Sequence, residues 1–349
     1  MPAAMIPAFR LTPLRCGLLL AAVAVAAFVW ALASGPLTIP ASHVLAGLFR
    51  PDALDPTERT VIHALRLPRA LAAMLVGGGL AIAGCSFQAV LRNPLADPSF
   101  IGVSGGAAVA AAACLALLGS QAAGPLPAQA LIGLAALLGG LASAALVLGI
   151  ARVDGDPQPV TLLLAGLAVN AFAAGLLGLI AYAANDPTLR AITLWLFGSL
   201  GRAGWAELAI AAPLIIAAAL QLWRDAPALN ALLLGEAEAA HIGVDVAALK
   251  RRAIALGVVC TALAVAVAGV IGFIGLMVPH MLRMRLGPDH RALLPLSFLG
   301  GAALLGCADT VARLALQPTE VPVGIVCALL GAPFFLALLL RWRRSPDLA

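Results

Sequence analysis

The sequence predicts an all-α polytopic membrane protein with about ten transmembrane helices, and three observations carry that prediction. Hydrophobic residues make up 62% of the 349 residues and charged residues only 11%, against roughly a quarter charged in soluble domains. The mean hydropathy is +1.05, more apolar surface than one aqueous core of this length accommodates. The apolar residues run in long Ala- and Leu-rich stretches with no period-two alternation, which excludes a transmembrane β-barrel. Soluble enzymes, disordered regulators and nucleic-acid binders are excluded with it. The pI of 9.2 does not point to a nucleic-acid partner, because the basic residues sit in short segments between apolar runs. Residues 1–349 read as a single transmembrane domain.

A helix needs about 20 apolar residues to cross the bilayer core. On that ruler the spans fall near 14–34, 67–91, 99–119, 128–150, 160–183, 205–223, 251–270, 273–286, 290–312 and 322–341. The first has a rival interpretation. Arg10 and Arg15 precede an apolar stretch, and Ala31-Leu32-Ala33 resembles a signal-peptidase site. The run from Cys16 to Ala33 is long for the apolar part of a signal peptide, so the span is expected to be retained. The eighth span is short and carries Pro279. Segment 187–200 is too short and polar to cross, and reads as a re-entrant or interfacial half-helix covered by protein.

Basic residues set the orientation. With the N-terminus inside, the cytoplasmic segments collect Arg10, Arg15, Arg92, Arg152, Arg224, Lys250, Arg251, Arg252, Arg283, Arg285, Arg291, Arg341, Arg343 and Arg344, which is 14 of the 21. The outer segments collect Arg50, Arg59, Arg66, Arg69, Arg190, Arg202 and Arg313. Both termini are therefore expected in the cytoplasm, with an even number of spans.

The polar residues narrow the function. Lys250 is the only lysine and follows Leu249, so the Gly-Lys-Ser/Thr of a phosphate-binding loop is missing and the chain is no Walker-type ATPase. Ionisable residues inside spans mark proton or ion paths. Asp309 is the main candidate here, and Arg313 lies four residues on, on the same helix face. A local ion pair near the outer end of the ninth span accounts for both, and the poverty of carboxylates argues against an ion-coupled carrier. The six cysteines lie within or beside apolar runs without C-x-x-C spacing and read as small buried hydrophobes. Gly77-Gly78-Gly79, Gly105-Gly106, Gly139-Gly140 and Gly300-Gly301 suit close helix packing, or sliding surfaces in a rocking bundle.

Three loops stand out. Residues 92–98 (RNPLADP) place two prolines in a tight turn on the cytoplasmic side; this is either a simple turn or a gate in which Leu95 plugs a pore and Asn93 caps it. Residues 224–252 form the largest cytoplasmic segment. Its sequence suggests short helices broken at Gly235 and Gly243, and such a pair lying on the inner surface offers a docking site for a soluble partner, the bland alternative being a solvated connector. The outer loop 35–66 carries Arg50, Glu58, Arg59, His63 and Arg66, with Arg69 just beyond. These are either a solvated rim or receivers of a partner's carboxylates.

Several ordered blocks together resemble the FecCD-type permeases of bacterial ABC importers for iron chelates, haem and vitamin B12. They are RLPRALAAMLVGGGLAIAGCSFQAVLRNPLADPSFIGVSGGAAVA (66–110), LLLAGLAVNAF (162–172), LWLFGSLG (194–201), LGEAEAAHIGVDV (234–246), GFIGLMVPHMLRMRLGPDHRALLPLS (272–297) and TEVPVGIVCALLGAPFFL (319–336). The resemblance covers about 66–340. It implies a vitamin B12 permease-like bundle of the type II ABC importers in the bacterial inner membrane. Two copies would form the pore, two copies of a separate ATPase would sit beneath, and a periplasmic binding protein would deliver the ligand. It assigns ATPase coupling to Leu234, Gly235, Glu236, Ala239, His241 and Gly243, the gate and path to Asn93, Leu95 and Asn170, and binding-protein docking to Arg66, Arg69 and Arg313. No catalytic residue, metal site or permanently bound cofactor is implied; ATP acts through the partner. Trp205 and Glu207 match no family role. Segment 180–201, through the Asp186 to Arg190 spacing and the aromatic after it, is most similar to haem permeases, with ferric siderophore or cobalamin as alternatives. An ion-coupled secondary carrier and a structural membrane anchor are the alternatives of other classes.

Overall fold

The computed structural model describes residues 12–35, 37, 39, 40, 42–44, 47, 54–118, 128–153 and 156–344. Arg10 and Arg50, counted in the orientation argument, lie outside the described residues. Among the described residues, and besides a short helical turn at Pro56–Thr60, thirteen helices carry the fold: α1 (Pro13–Ala33), α2 (Leu67–Val90), α3 (Val103–Leu118), α4 (Ala128–Ile150), α5 (Pro159–Ala183), α6 (Asp186–Leu196), α7 (Trp205–Arg224), α8 (Ala226–Ala231), α9 (Glu236–His241), α10 (Val246–Ala268), α11 (Ile274–Leu286), α12 (His290–Leu314) and α13 (Val323–Arg344). Among the described residues eight helices are long and apolar enough to cross a membrane, and α3 is a shorter apolar helix. With the 13-residue α11 they correspond one for one to the ten spans read from sequence. Between α4 and α5 the chain makes a two-residue antiparallel ladder, Arg152 opposite Pro157 and Val153 opposite Asp156.

Three boundaries differ from expectation. Residues assigned to the outer loop are partly helical: a turn at Pro56–Thr60 and a π-helical turn at Val61–Arg66 run into α2, giving a 35-residue rod. Asp55 starts it, accepting the Thr57 N–H at 3.1 Å. The seventh span begins at Val246 rather than 251, because the Asp245 carboxylate caps the Ala248 N–H at 2.9 Å; Lys250, Arg251 and Arg252 are thus helical, and Lys250 is buried. The third span starts only at Val103, after a 3₁₀ turn at Pro98–Ile101 closed by left-handed Gly102. The expected half-helix is α6, capped by the Asn185 side chain on the Thr188 N–H at 3.0 Å.

α2 is the axis of the bundle. Its most apolar stretch is 89% buried inside the single chain, whereas that of α5 is 17% buried. Glycines bring its neighbours close. A methyl group added at Gly77 would fall on the Gly301 carbonyl, and one at Gly301 on the Gly77 carbonyl, so α2 and α12 touch backbone to backbone. Gly84 meets the Gly275 carbonyl of α11 in the same way, and Gly106 and Gly139 do so across the α3–α4 crossing. The glycine pairs noted in the sequence are therefore packing positions.

The α2–α12 crossing ends in an ion pair. The Arg69 guanidinium grips the Asp309 carboxylate through Nε at 3.0 Å and Nη2 at 2.9 Å. Arg313 Nε stands 3.4 Å from the same carboxylate, so the local pair expected from the i,i+4 spacing is joined by a bidentate link between helices. Removing one member of a buried pair strands the other, at about 3 kcal/mol or more. Arg69→Ala is predicted to lower the thermal unfolding temperature of the purified protein well below that of the Arg69→Lys variant. Gly301→Leu, which must force the two backbones apart, is predicted to cost about 3 kcal/mol in the same melt and to reduce the folded yield.

Candidate functional site

The two ends of the bundle carry different chemistry. At one end, α7 turns at Asp225 into α8, a 3₁₀ turn at Leu232–Leu234 and then α9. Gly235 makes the corner with φ 124° and ψ 157°, a conformation essentially restricted to glycine. A side chain there would also strike the Glu238 carboxylate. Gly243 ends α9 at φ 91°, its N–H donating to the Ala240 carbonyl at 3.0 Å while Val244 N–H reaches Ala239 at 3.0 Å. The breaks expected at Gly235 and Gly243 are both present. Ala239 is fully buried and seats the helix. Leu234 is 68% exposed and Ile242 64%, with Leu233, Glu238 and His241 also on the surface.

This corner is bolted to the helices behind it. Glu236 pairs with Lys250 of α10 at 2.5 Å. Arg252 of α10 clasps Asp225 through Nε and Nη2, both at 2.7 Å. Asn230 of α8 donates to Asp289 at 2.6 Å, and its side-chain oxygen accepts the His290 N–H at 2.8 Å. That amide, with the Arg291 backbone N–H, holds the Asp289 carboxyl below the usual carboxylate range. α8, α9 and the roots of α10 and α12 are thereby joined through side-chain bonds. Sequence reasoning singled out the corner but missed its bolts. Lys250 being the only lysine was the available signal, and Asn230 and Asp289 gave none.

At the same end lies the 92–98 loop. Arg92 adopts φ 49° as α2 ends, and the Asn93 N–H returns to the Gln88 carbonyl at 3.2 Å. The Asn93 side chain accepts the Leu95 N–H at 2.9 Å, so it shapes its own turn, and Leu95 is half-buried. Asp97 accepts the Ser99 N–H at 2.9 Å; burial pushes its carboxyl above the usual range, opposed by the Ser99 hydrogen bonds. Asn170 of α5 donates to the Ser99 carbonyl at 3.0 Å, and Gly166, one turn earlier, lies against the Phe100 carbonyl. Asn93, Leu95 and Asn170 thus belong to one structural unit, in which α5 holds the segment that follows the turn. Behind the loop, Gln88 binds the carbonyls of Gly275 and Leu276 at 3.4 and 3.3 Å and accepts from Arg283 at 2.8 Å, a link between α2 and α11 that the sequence did not reveal.

The opposite end holds the three arginines assigned to docking, and they face inward. Arg66, turned by the π-helical segment, donates to the Leu32 carbonyl at 2.7 Å and to Ala33 and Leu37. Arg313 donates to Ala31 at 3.0 Å. Both are buried, where exposed side chains were expected. Arg69 lies between Asp309 and the half-exposed Glu320, 2.8 Å away. Trp205 and Glu207 find structural roles: the indole donates to the His63 carbonyl at 2.9 Å, and the carboxylate accepts the Gly204 N–H at 3.1 Å. Near this end, a cavity of about 380 Å³ opens between α3, α5 and α6, lined by Ala113, Leu117, Ile180, Asn185 and Thr188, beside the segment that carries the haem-permease resemblance. Among the described residues no group of three His, Cys, Asp or Glu side chains is placed to hold a metal ion.

Known proteins share this plan. Residues 22–341 match the FecCD transport family. The hemin transport system permease protein HmuU of Yersinia pestis is 44% identical over 80% of this chain and 83% of its own length. The cobalamin import system permease protein BtuC of Halobacterium salinarum is 41% identical over 88% of this chain and 80% of its own. The Fe(3+) dicitrate transport system permease protein FecD of Escherichia coli is 41% identical over 81% and 86%. A solved structure described as an inward-facing conformation of a transporter assigned to the metal-chelate type superposes with a TM-score of 0.79 at 31% identity, covering 93% of this chain and 98% of that one. The bundle, the Gly235 corner and the ordered sequence blocks thus belong to a permease of the FecCD transport family.

Proposed function

We propose that this chain is the translocation subunit of an ABC importer that carries an iron chelate, haem first, across the bacterial inner membrane into the cytoplasm. The observation that carries the proposal is the Gly235 corner: exposed Leu233, Leu234 and Ile242 on a rigid turn bonded into α10 and α12. An apolar patch of this kind on a short helix pair fits the groove of a soluble partner, here the ATPase that supplies the energy. The bundle itself offers little to couple to an ion gradient. Of the buried carboxylates among the described residues, Asp309 is held by two arginines and Asp225 by Arg252.

In this account the Gly235 end is cytoplasmic. Two copies of the chain enclose the pore, and α5 and α13 are the spans with most uncovered apolar surface, including Leu164, Leu167, Phe172 and Leu179 of α5 and Leu329 and Leu336 of α13. Two ATPase copies engage the corners. Their closure moves α9, and the Lys250–Glu236 and Arg252–Asp225 pairs pass the movement to α10 while Asn230 passes it to α12. The 92–98 loop gates the inner exit, with Asn170 transmitting shifts of α5 to it. A periplasmic binding protein docks at the Arg69 end. Arg66, Arg69 and Arg313 act there by holding the rim, with Glu320 its exposed member, rather than by reaching out themselves. Haem is placed first on the similarity of 180–201 and the identity to a hemin permease; cobalamin and ferric citrate relatives of similar identity define the competing cargoes.

The cargo is tested with the full complex, permease, ATPase and binding protein, in proteoliposomes. Haem-loaded binding protein is predicted to stimulate ATP hydrolysis and uptake; stimulation by cobalamin or a ferric siderophore alone would reject haem. Gly235→Val, strained at this φ, is predicted to cut ATP-driven uptake on the order of tenfold while ATP hydrolysis and membrane insertion persist. Lys250→Glu is predicted to reduce uptake similarly, and the swap Glu236→Lys with Lys250→Glu to restore part of it. Uptake at the unsubstituted level in both single variants would remove the coupling role.

A further inference from the structure

An apolar groove runs between α7 and α12 with α2 as its floor. The half nearer the Arg69 end has a volume of about 450 Å³, with Leu71, Trp205, Ala212 and Leu299 in its wall. The half nearer the Gly235 end has about 210 Å³, with Ile82, Leu220, Trp223 and Pro295. Ile216 and Phe298 belong to both, so the two halves are one feature. Gly78 gives it depth, since a Cβ there would stand 2.8 Å from the Phe298 ring. Trp205 and Trp223 mark its ends, about 27 Å apart along the helix, close to the thickness of the hydrocarbon core. Each indole donates to a backbone carbonyl, of His63 at 2.9 Å and of Arg291 at 3.2 Å, with the ring against the groove, as interfacial tryptophans do.

Charge distinguishes the ends. Leu220 and Pro295 line the groove. Arg224 lies one turn beyond Leu220 on α7, and Arg291 one turn before Pro295 on α12, so both arginines extend the groove-lining faces. The helices are antiparallel and the indole of Trp223 bridges them, which brings both exposed arginines to the same mouth. The neighbouring carboxylates are already engaged, Asp225 by Arg252 and Asp289 by Asn230 and the Arg291 backbone N–H. At the other end of the groove Arg69 is already engaged, by Asp309 and Glu320.

We propose that this groove binds an anionic phospholipid, its phosphate between Arg224 and Arg291 and its acyl chains laid along Trp223, Ile216 and Phe298. An apolar trough one bilayer long accommodates acyl chains, and the two exposed arginines at the Trp223 mouth select a negative headgroup there. The site is independent of the cargo, and in the orientation proposed above the lipid belongs to the inner leaflet.

The test is quenching of tryptophan fluorescence by brominated lipid, in the full-length chain with Trp223 as its only tryptophan, reconstituted in phosphatidylcholine vesicles. Brominated phosphatidylglycerol is expected to outcompete brominated phosphatidylcholine on the order of fivefold at Trp223. The preference is expected to vanish in Arg224→Ala/Arg291→Ala, to survive in Arg224→Lys/Arg291→Lys, and to be absent in a variant whose only tryptophan is Trp30 on α1. Equal quenching by the two lipids, or a preference that the alanine pair leaves unchanged, overturns the proposal. So does a Trp223 that neither lipid quenches while Ala302→Cys crosslinks one copy to another, which would make the groove an interface between copies. Circular dichroism of each variant separates loss of the site from loss of the fold.

Discussion

Gly77 and Gly301 let α2 and α12 meet with no side chain between their backbones, and the remaining architecture is arranged around that contact. In lipid there is no hydrophobic drive between helices, so association relies on close packing and a few polar links. The glycines supply the packing, and Arg69 with Asp309 closes the same crossing at one end. α2 then becomes an axis covered on nearly every side, with α11 seated on Gly84 and α7 against Gly79. A helix so enclosed cannot flex independently. In the proposed mechanism, movement passed to α10 and α12 therefore carries α2 with it.

The polar groups divide accordingly. At the Arg69 end they are turned inward and hold the chain together: Arg66 and Arg313 satisfy backbone carbonyls that α1 leaves open as it ends. At the Gly235 end they join separate helices into one piece and leave apolar side chains exposed. A chain with so few ionisable groups in its spans has little means of coupling to a gradient, and a stiff external handle is a consistent way to drive it. The proposed transport cycle depends on that stiffness, and the groove between α7 and α12 lies alongside the same transmission path.

Much of the fold was legible in the sequence, because the bilayer imposes a length on every apolar run. All ten spans were found, and so were the half-helix α6 and the breaks at Gly235 and Gly243. What the sequence concealed was tertiary. The outer arginines read as exposed because Arg66 sits in a polar stretch, and nothing local announces that a π-helical turn directs it to Leu32. Lys250 read as a loop residue because basic residues usually end spans; Asp245 instead starts the helix earlier and Glu236 compensates the buried ammonium. The Gln88–Arg283 link joins residues distant in sequence, and no pattern within either segment marks it.

The central claim is that the Gly235 corner and the roots of α10 and α12 move as one body. Spin labels at Ala237→Cys and Pro288→Cys, in a chain otherwise free of cysteine and assembled with its ATPase, report that distance by pulsed electron resonance. The account predicts an unchanged distance between nucleotide-free and ATP-trapped states, while a pair at Ala237→Cys and Val160→Cys shifts. A corner that moves relative to Pro288 on nucleotide binding would contradict it.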